Sequence, residues 1–483
     1  MTSKIRRLSG LLALLLLAVI GNVMYLQVVK ADNLRQQQGN TRTILAEFGR
    51  KRGAINVSAG SVALSVDTGS QYRYLRTYAS GPVYAPVSGF YSLIYGTTGM
   101  EREENEWLSG SDSRLIVDRL TQLLSGREPA GGSVELTIDP RAQQAAWDGL
   151  AGRRGAVVAL DPRTGAILAM VSSPSFDPGP LANPTFSTAR DAWTKYEADP
   201  ARPMLNRALR QTYPPGSVFK LVTASAAIES GRYTLDSMLP GPATYTPPGT
   251  KTPIRNQDLR ACGPKPTVTM AEALRRSCNT PFAYLGVQLG QLLLRAQAEK
   301  YGLDSAFDVP MTSAVSRFPA VLDVPLTAQA AIGQFDVRTT ALQMAMIAAG
   351  IANGGAVMKP QLIAALRTPD LSVVQSLRPD VFDRAISAST AQQLATMMTA
   401  VVATGTGVNA QIPGVVVAGK TGTAEVATGI LPHAWFVSFA PVDNPQVAVA
   451  VVLENGGGNT DQISGGRLAA PIARAVMAAV LGR

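Results

Sequence analysis

A chain of 483 residues, 46% hydrophobic and 16% charged, is long enough for two or three domains with ample cores. Its net charge of +10 does not point to nucleic acid. Residues 1–52 hold nine positive charges (Lys4, Arg6, Arg7, Lys30, Arg35, Arg42, Arg50, Lys51, Arg52) against Asp32 and Glu47, so +7 lies there and +3 in the remainder. That is the pattern of a membrane-proximal segment. One histidine, His433, and two cysteines give no recognised zinc-ligand spacing, and no Gly-x-Ser-x-Gly elbow accompanies a serine with a histidine base.

Leu8 to Val29 is a 22-residue stretch without charge, about 33 Å as a helix and enough to cross a bilayer. It has no clear small-x-small cleavage site, so it reads as an uncleaved anchor, a buried core helix being the alternative. The cluster Lys4, Arg6 and Arg7 before the span favours an inside N-terminus. Residues 30–135 are polar and turn-rich. Six tyrosines fall within 24 residues (Tyr72 to Tyr95), interrupted by Gly81, Pro82, Pro86 and Gly89, which predicts short strands and loops in a small β-rich domain with a structural or docking role.

The texture changes at Gly131-Gly132. A helix is expected over 141–150, and the runs 155–161 and 166–171 flank Pro162-Arg163-Thr164-Gly165 as a hairpin of buried strands. Residues 172–212, rich in proline and aromatics without a period, read as an ordered loop. Tyr213-Pro214-Pro215-Gly216 then makes a turn that leads into Val218 to Ile228, apolar nearly all round and stopped at Ser230-Gly231. This predicts a buried central helix with Ser217 at its N-terminus.

Thr269-Met270-Ala271-Glu272 resembles a capping box opening a helix through Arg276, and a second helix starts at Pro281, runs through Lys300 and stops at Gly302. Residues 321–405 look helical, most clearly Ala341 to Ala352. Strands return at 415–425, 434–440 and 447–453, and Leu468 to Leu481 closes the chain as a helix. Two strands early and three late, around a helical insert, form one sheet. Cys262 and Cys278, with 15 residues between them, close a local disulfide loop worth about 3 kcal/mol or are two small buried thiols.

Three short constellations carry chemistry. Lys220 lies one turn after Ser217 within an apolar run. Burial there lowers an amine from about 10.4 by up to 3–5 units, and a neutral amine beside a hydroxyl makes an activated nucleophile. A helix cap with a surface lysine is the plainer reading. Ser277-Cys278-Asn279 sits between two helices, facing a cleft as a rigid pair or merely capping the second helix. Lys420-Thr421-Gly422 offers a cation, a hydroxyl and a glycine that admits a ligand to the backbone, or is an ordinary strand end.

Ser217-x-x-Lys220, Ser277-x-Asn279 and Lys420-Thr421-Gly422 occur once each, in this order, with gaps of 60 and 143 residues. The set resembles that of the penicillin-binding proteins and class A β-lactamases. Residues 136–483 resemble the transpeptidase domain of penicillin-binding proteins. The whole chain is similar to class B members, and Arg52-Gly53-Ala54-Ile55 and Tyr84 to Leu93 are similar to the A-type members of actinobacteria. Asn56 departs from the aspartate that many class B members carry there. A class A β-lactamase would need a deacylating glutamate between the second and third motifs, where this chain has only Glu299 followed by Lys300-Tyr301-Gly302.

The resemblance implies an α+β fold: a transpeptidase (β-lactamase-like) domain over 136–483 with a central antiparallel sheet flanked by helices. It implies a non-catalytic pedestal or dimerisation-type domain over 30–135, and a cytoplasmic tail with a single anchor over 1–29. It implies a D,D-transpeptidase in the bacterial plasma membrane, its catalytic domain extracytoplasmic, which needs no cofactor or metal. Stem peptides ending in D-Ala-D-Ala would be its substrates and β-lactams its inhibitors. A membrane glycosyltransferase of the shape, elongation, division and sporulation family would be its partner, with no nucleic acid involved. Ser217 would be the nucleophile, Lys220 its base, Ser277 a proton relay and Asn279 a substrate holder. Lys420, Thr421 and Thr423 would bind the terminal carboxylate beside Gly422, and the Ser217 and Thr423 N–H groups would form the oxyanion hole. A membrane β-lactam sensor and a D,D-carboxypeptidase are the alternatives on the same fold.

Overall fold

The computed structural model describes residues 2–26, 49–69, 72–126, 128, 130–426, 429–458 and 463–483. Helix α1 (Thr2–Met24) contains a 19-residue apolar stretch, Arg6–Met24, with mean hydropathy 2.0, long and apolar enough to cross a membrane. The end of the expected span, residues 27–29, lies outside the described residues.

Past Gly49 the chain builds β1 (Ile55–Val57), β2 (Gly60–Asp67) and β3 (Tyr74–Tyr78) as an antiparallel meander. The tyrosine-rich stretch is not only strand and loop as expected. Gly81–Ser88 is helix α2, because Pro82 falls in its first turn, where the missing N–H costs no bond, and Gly89 ends it at φ 69°. Helices α3 (Gly99–Glu103) and α4 (Ile116–Leu124) follow, and β4 (Ser133–Leu136) runs parallel to β1. Within α3, Glu101 is fully buried between two guanidinium groups. Arg52 Nε lies 2.7 Å from Oε2 and Arg76 Nε 2.5 Å from Oε1, with the Tyr78 hydroxyl 3.2 Å from Oε1.

Helix α5 (Pro140–Leu150) is followed by the expected hairpin, β5 (Gly155–Leu160) and β6 (Ile167–Ser173). Phe186–Ala198, expected as loop, is helix α6. Ala189 is its one buried residue, so no apolar period marks it. A 3₁₀ turn, Gly216–Phe219, runs into α7 (Lys220–Glu229), then α8 (Met270–Arg276), α9 (Thr280–Lys300) and α10 (Ala341–Ala352).

Residues 353–387 are not helical as expected. They contain β7 (Ile363–Arg367) and β8 (Val373–Ser376), which join the first sheet in the order β8-β7-β4-β1-β2-β3. The N-terminal region and the chain beyond residue 136 therefore share one sheet. Helix α11 (Ala388–Thr404) leads to β9 (Ala418–Ala424), β10 (His433–Ala440), β11 (Val447–Leu453) and α12 (Ala470–Val480). The second sheet is antiparallel in the order β9-β10-β11-β5-β6. Every residue of β10 and β11 is buried. Helices α5 and α12 pack together on the sheet, as does α10. Two covered faces explain why these strands read as unbroken apolar runs rather than alternating ones.

Candidate active site

Ser217 stands on a segment whose main chain is secured on every side. The N–H and carbonyl of Tyr213 pair with Thr339 at 2.9 and 2.8 Å, and the Gly216 N–H donates to the Gly333 carbonyl at 2.9 Å. Trp435 Nε1 donates to the Pro214 carbonyl at 3.0 Å, and the Tyr213 hydroxyl donates to Glu454 Oε1 at 2.9 Å. Gly216 has φ 56°, and a Cβ there would come within 2.8 Å of the Thr423 carbonyl oxygen. Only glycine lets the turn lie this close to β9. The result presents Ser217 at the start of a buried helix, beside Thr423.

Lys220 and Lys420 are both fully buried, and among the described residues neither has a carboxylate within ion-pair distance. Lys220 Nζ lies 2.7 Å from the Ser277 carbonyl, 2.8 Å from Asn279 Oδ1 and 3.0 Å from Ser217 Oγ. The two carbonyl oxygens can only accept. A neutral amine gives them its two protons and has its lone pair left for the Ser217 hydroxyl, which can donate. Burial, reinforced by the positive charge of Lys420, pushes the Lys220 ammonium well below the usual lysine range and favours this neutral form. Lys420 Nζ donates to Ser277 Oγ at 2.7 Å and to the Thr421 carbonyl at 2.8 Å, and burial lowers it to about 7.

The Ser277-Cys278-Asn279 loop is braced from several sides. Ser277 takes a left-handed conformation, φ 63°, at the end of α8, and Cys278 is disulfide-bonded to Cys262, which closes the first of the two cysteine readings. Asn256 Oδ1 accepts the N–H groups of Asn279 and Thr280 at 2.8 and 3.1 Å. The Asn279 side chain is itself occupied, Oδ1 by Lys220 and Nδ2 by the Arg255 carbonyl at 2.8 Å. Thr269 caps α8 by accepting from the Glu272 N–H, as the capping box predicts.

The structure therefore brings Ser217, Lys220, Ser277, Asn279 and Lys420 into one hydrogen-bonded chain. Three residues of the strand motif are placed differently from one another. Thr423 lines the cleft with Ser217 and Asn279. Thr421 is buried with its hydroxyl 2.6 Å from that of Thr406, on the α11 side. Gly422 is required by packing rather than by ligand approach, since a Cβ would meet Trp435 Cβ at 2.9 Å and Val218 Cγ1 at 3.0 Å. Asn256, Arg255 and Thr406 belong to the site but carry no local signal in the sequence. Their roles come from contacts with residues 15 or more positions away.

The cleft over Ser217 has a volume of about 810 Å³. His433 is not part of it. Its ring packs against Tyr213, its Nδ1 accepts the Asn455 N–H at 3.0 Å, and burial pushes it down to about 4. Among the described residues no group of three or more histidine, cysteine, aspartate or glutamate side chains could hold a metal ion. The arrangement suits covalent catalysis by a serine with an amine as base.

Residues 155–478 match the penicillin binding protein transpeptidase domain family, and residues 52–134 match the penicillin binding protein A dimerisation domain family. The chain is 44% identical to peptidoglycan D,D-transpeptidase PbpA of Mycolicibacterium smegmatis over 492 positions, 100% of this chain and 99% of that one. It is 43% identical to PbpA of Mycobacterium tuberculosis with the same coverage. Among solved structures, a ceftriaxone acyl-enzyme complex of penicillin-binding protein A from M. tuberculosis is similar at a TM-score of 0.88. The identity is 44%, over 90% of this chain and 100% of that one.

Proposed function

This chain belongs to the penicillin-binding protein transpeptidase family, and from that premise we propose how its residues divide the work of a peptidoglycan D,D-transpeptidase. The enzyme cross-links stem peptides through a serine acyl-enzyme and is acylated by β-lactams. Ser217 Oγ attacks the carbonyl carbon between the two terminal D-alanines as its proton passes to Lys220 Nζ. The Ser217 and Thr423 N–H groups receive the developing oxyanion. As the C–N bond breaks, the Ser277 hydroxyl gives its proton to the departing amine and takes one from Lys220. D-Alanine leaves and Ser217 holds an ester.

An amine from a neighbouring stem then attacks that ester, Lys220 again accepts the proton, and the peptide cross-link forms with Ser217 restored. Lys420 and Thr423 bind the substrate's terminal carboxylate, with Thr421 supporting Lys420 through its carbonyl. Asn279 orients the peptide. The observation that carries this reading is the Lys220 amine, buried, with two carbonyl acceptors and the Ser217 hydroxyl around it. Labelling of the full chain by a fluorescent penicillin, read by gel and intact mass, tests it. A one-to-one adduct absent from Ser217→Ala is expected, and an adduct on the variant would overturn the assignment.

We also assign residues 1–29 to tail and anchor, 30–135 to a non-catalytic pedestal and 136–483 to the transpeptidase domain, with the catalytic domain on the extracytoplasmic side. The anchor helix supports membrane attachment. Protease protection in sealed vesicles of known orientation checks the side. Cross-linking acts on stem peptides carried by glycan strands that a glycosyltransferase must polymerise, which supports pairing with a membrane glycosyltransferase of the shape, elongation, division and sporulation family. Failure of the two to co-purify from membranes would count against that pairing.

A further inference from the structure

Arg255 and Glu425 are the charged residues among those lining the cleft over Ser217. Glu425 follows the end of β9, two residues after Thr423. Arg255 ends the two-residue strand Ile254–Arg255, which pairs antiparallel with Thr244–Tyr245. Its main chain is fixed in the site, since its carbonyl accepts from Asn279 Nδ2 and the next residue, Asn256, is buried and holds the Asn279 N–H. Its side chain is exposed, and among the described residues no hydrogen bond or ion pair engages the guanidinium. Many of the surface arginines have an acid beside them, as Arg275 and Arg276 have Glu272, and Arg295 has Glu299. A cleft-lining guanidinium on a fixed main chain, with no acid paired to it among the described residues, suits a carboxylate ligand.

The position says which carboxylate. On the reading above, the terminal carboxylate of the donor lies along β9 at Lys420 and Thr423, and the scissile carbonyl lies at Ser217. With Asn279 orienting the peptide, the residues before the scissile bond then run along Asn279, whose Nδ2 lies 2.8 Å from the Arg255 carbonyl. We propose that Arg255 is a specificity-determining residue that binds a second carboxylate of the donor, carried by the side chain of the diamino acid preceding the two D-alanines. The substrate class is thus a stem peptide whose diamino acid keeps that carboxylate free, rather than amidated or missing. This inference rests on the transpeptidase reading.

The test uses the full-length enzyme in detergent and two synthetic donors, identical except that one bears the free side-chain carboxylate and the other its carboxamide. D-Alanine release gives kcat/KM for each, and the quantity compared is the ratio of the two within one protein, which a partial loss of folded enzyme does not change. Wild type is expected to favour the carboxylate about tenfold, as a charge-assisted hydrogen bond allows. Arg255→Ala should bring the ratio near one, Arg255→Glu should invert it, and Arg255→Lys should keep only part of it because an ammonium lacks the planar fork. A wild-type ratio near one, or a preference that survives Arg255→Glu, overturns the proposal. Penicillin labelling of the same wild-type sample separates the two readings: labelling without a preference sinks the Arg255 subsite alone, whereas no labelling sinks both.

Discussion

The molecule buries charge-bearing groups in two places and treats them oppositely. In the N-terminal region Glu101 is fully buried, but Arg52 and Arg76 each contact one of its oxygens. In the cleft Lys220 and Lys420 are equally buried, and among the described residues their hydrogen-bond partners are carbonyl and hydroxyl oxygens only. Desolvation raises the Glu101 carboxyl, and the two arginines together outweigh it, so the group is held below the usual range and stays ionised. The lysines have nothing to outweigh desolvation and are driven toward the neutral form. A buried ion with its counterion is a clamp whose loss is felt in stability. A buried amine without one sacrifices some stability to hold a base ready at neutral pH.

The contrast can be broken most sharply at Lys220. Lys220→Met is expected to lower β-lactam acylation by about 10³-fold, since general-base assistance is worth 10²–10⁴, while the thermal midpoint stays level or rises because a desolvated amine has gone. A large fall in the midpoint would show the amine to be structural. At the other pole, Glu101→Gln should cost about 3–5 kcal/mol in urea unfolding, since it leaves two buried guanidinium groups unpaired, yet leave acylation per folded molecule unchanged.

The pH dependence of the same variant sharpens this further. Glu101 has a lowered folded-state pKa, so its stabilisation is present above the unfolded carboxyl value of about 4.3 and is lost as pH falls through the lower folded value. Urea titrations between pH 3 and 6 should show that acid-side loss in wild type and a weaker one in Glu101→Gln. The lysines act with the opposite orientation. Lys420 has a depressed folded value, the unfolded chain binds more protons between about 7 and 10.4, and stability from this site rises with pH across that window.

Smaller effects should come from the brace and from the second amine. Cys262→Ser with Cys278→Ser opens the loop that holds Ser277 and Asn279, with an expected stability loss of about 3 kcal/mol for a loop of this length. A several-fold slower acylation should accompany it, read by stopped-flow with a chromogenic cephalosporin. The smallest expected change is in the shape of the kcat/KM profile. Its alkaline limb should fall near pH 7, where Lys420 loses the charge that we propose binds the carboxylate, and Lys420→Arg should move that limb upward. A profile that keeps its limb in Lys420→Arg assigns it to another group.

Much of the catalytic frame was legible along the chain, and the failures have physical causes. Ser217 and Lys220 share a face because three residues are one helical turn, and Gly216 marks the close approach to β9. The hairpin 155–173 and the strands 433–453 announce themselves as apolar runs of strand length. Helix α6 was hidden because it buries a single residue and so has no period. Strand β7 was hidden because the strand it joins, β4, lies more than 200 residues earlier, and β8, the edge strand that pairs with β7, is exposed throughout.

Local spacing by itself determined which groups could react, since turn chemistry and helix periodicity act over a few residues. It could not determine their protonation or their partners. Glu101 finds Arg52 49 positions away and Arg76 25 away, while Lys220 meets Ser277 and Asn279 after 57 and 59. Only the tertiary structure decided that the first charge is paired and the second is not, because burial and hydrogen-bond partners are set by where distant segments pack.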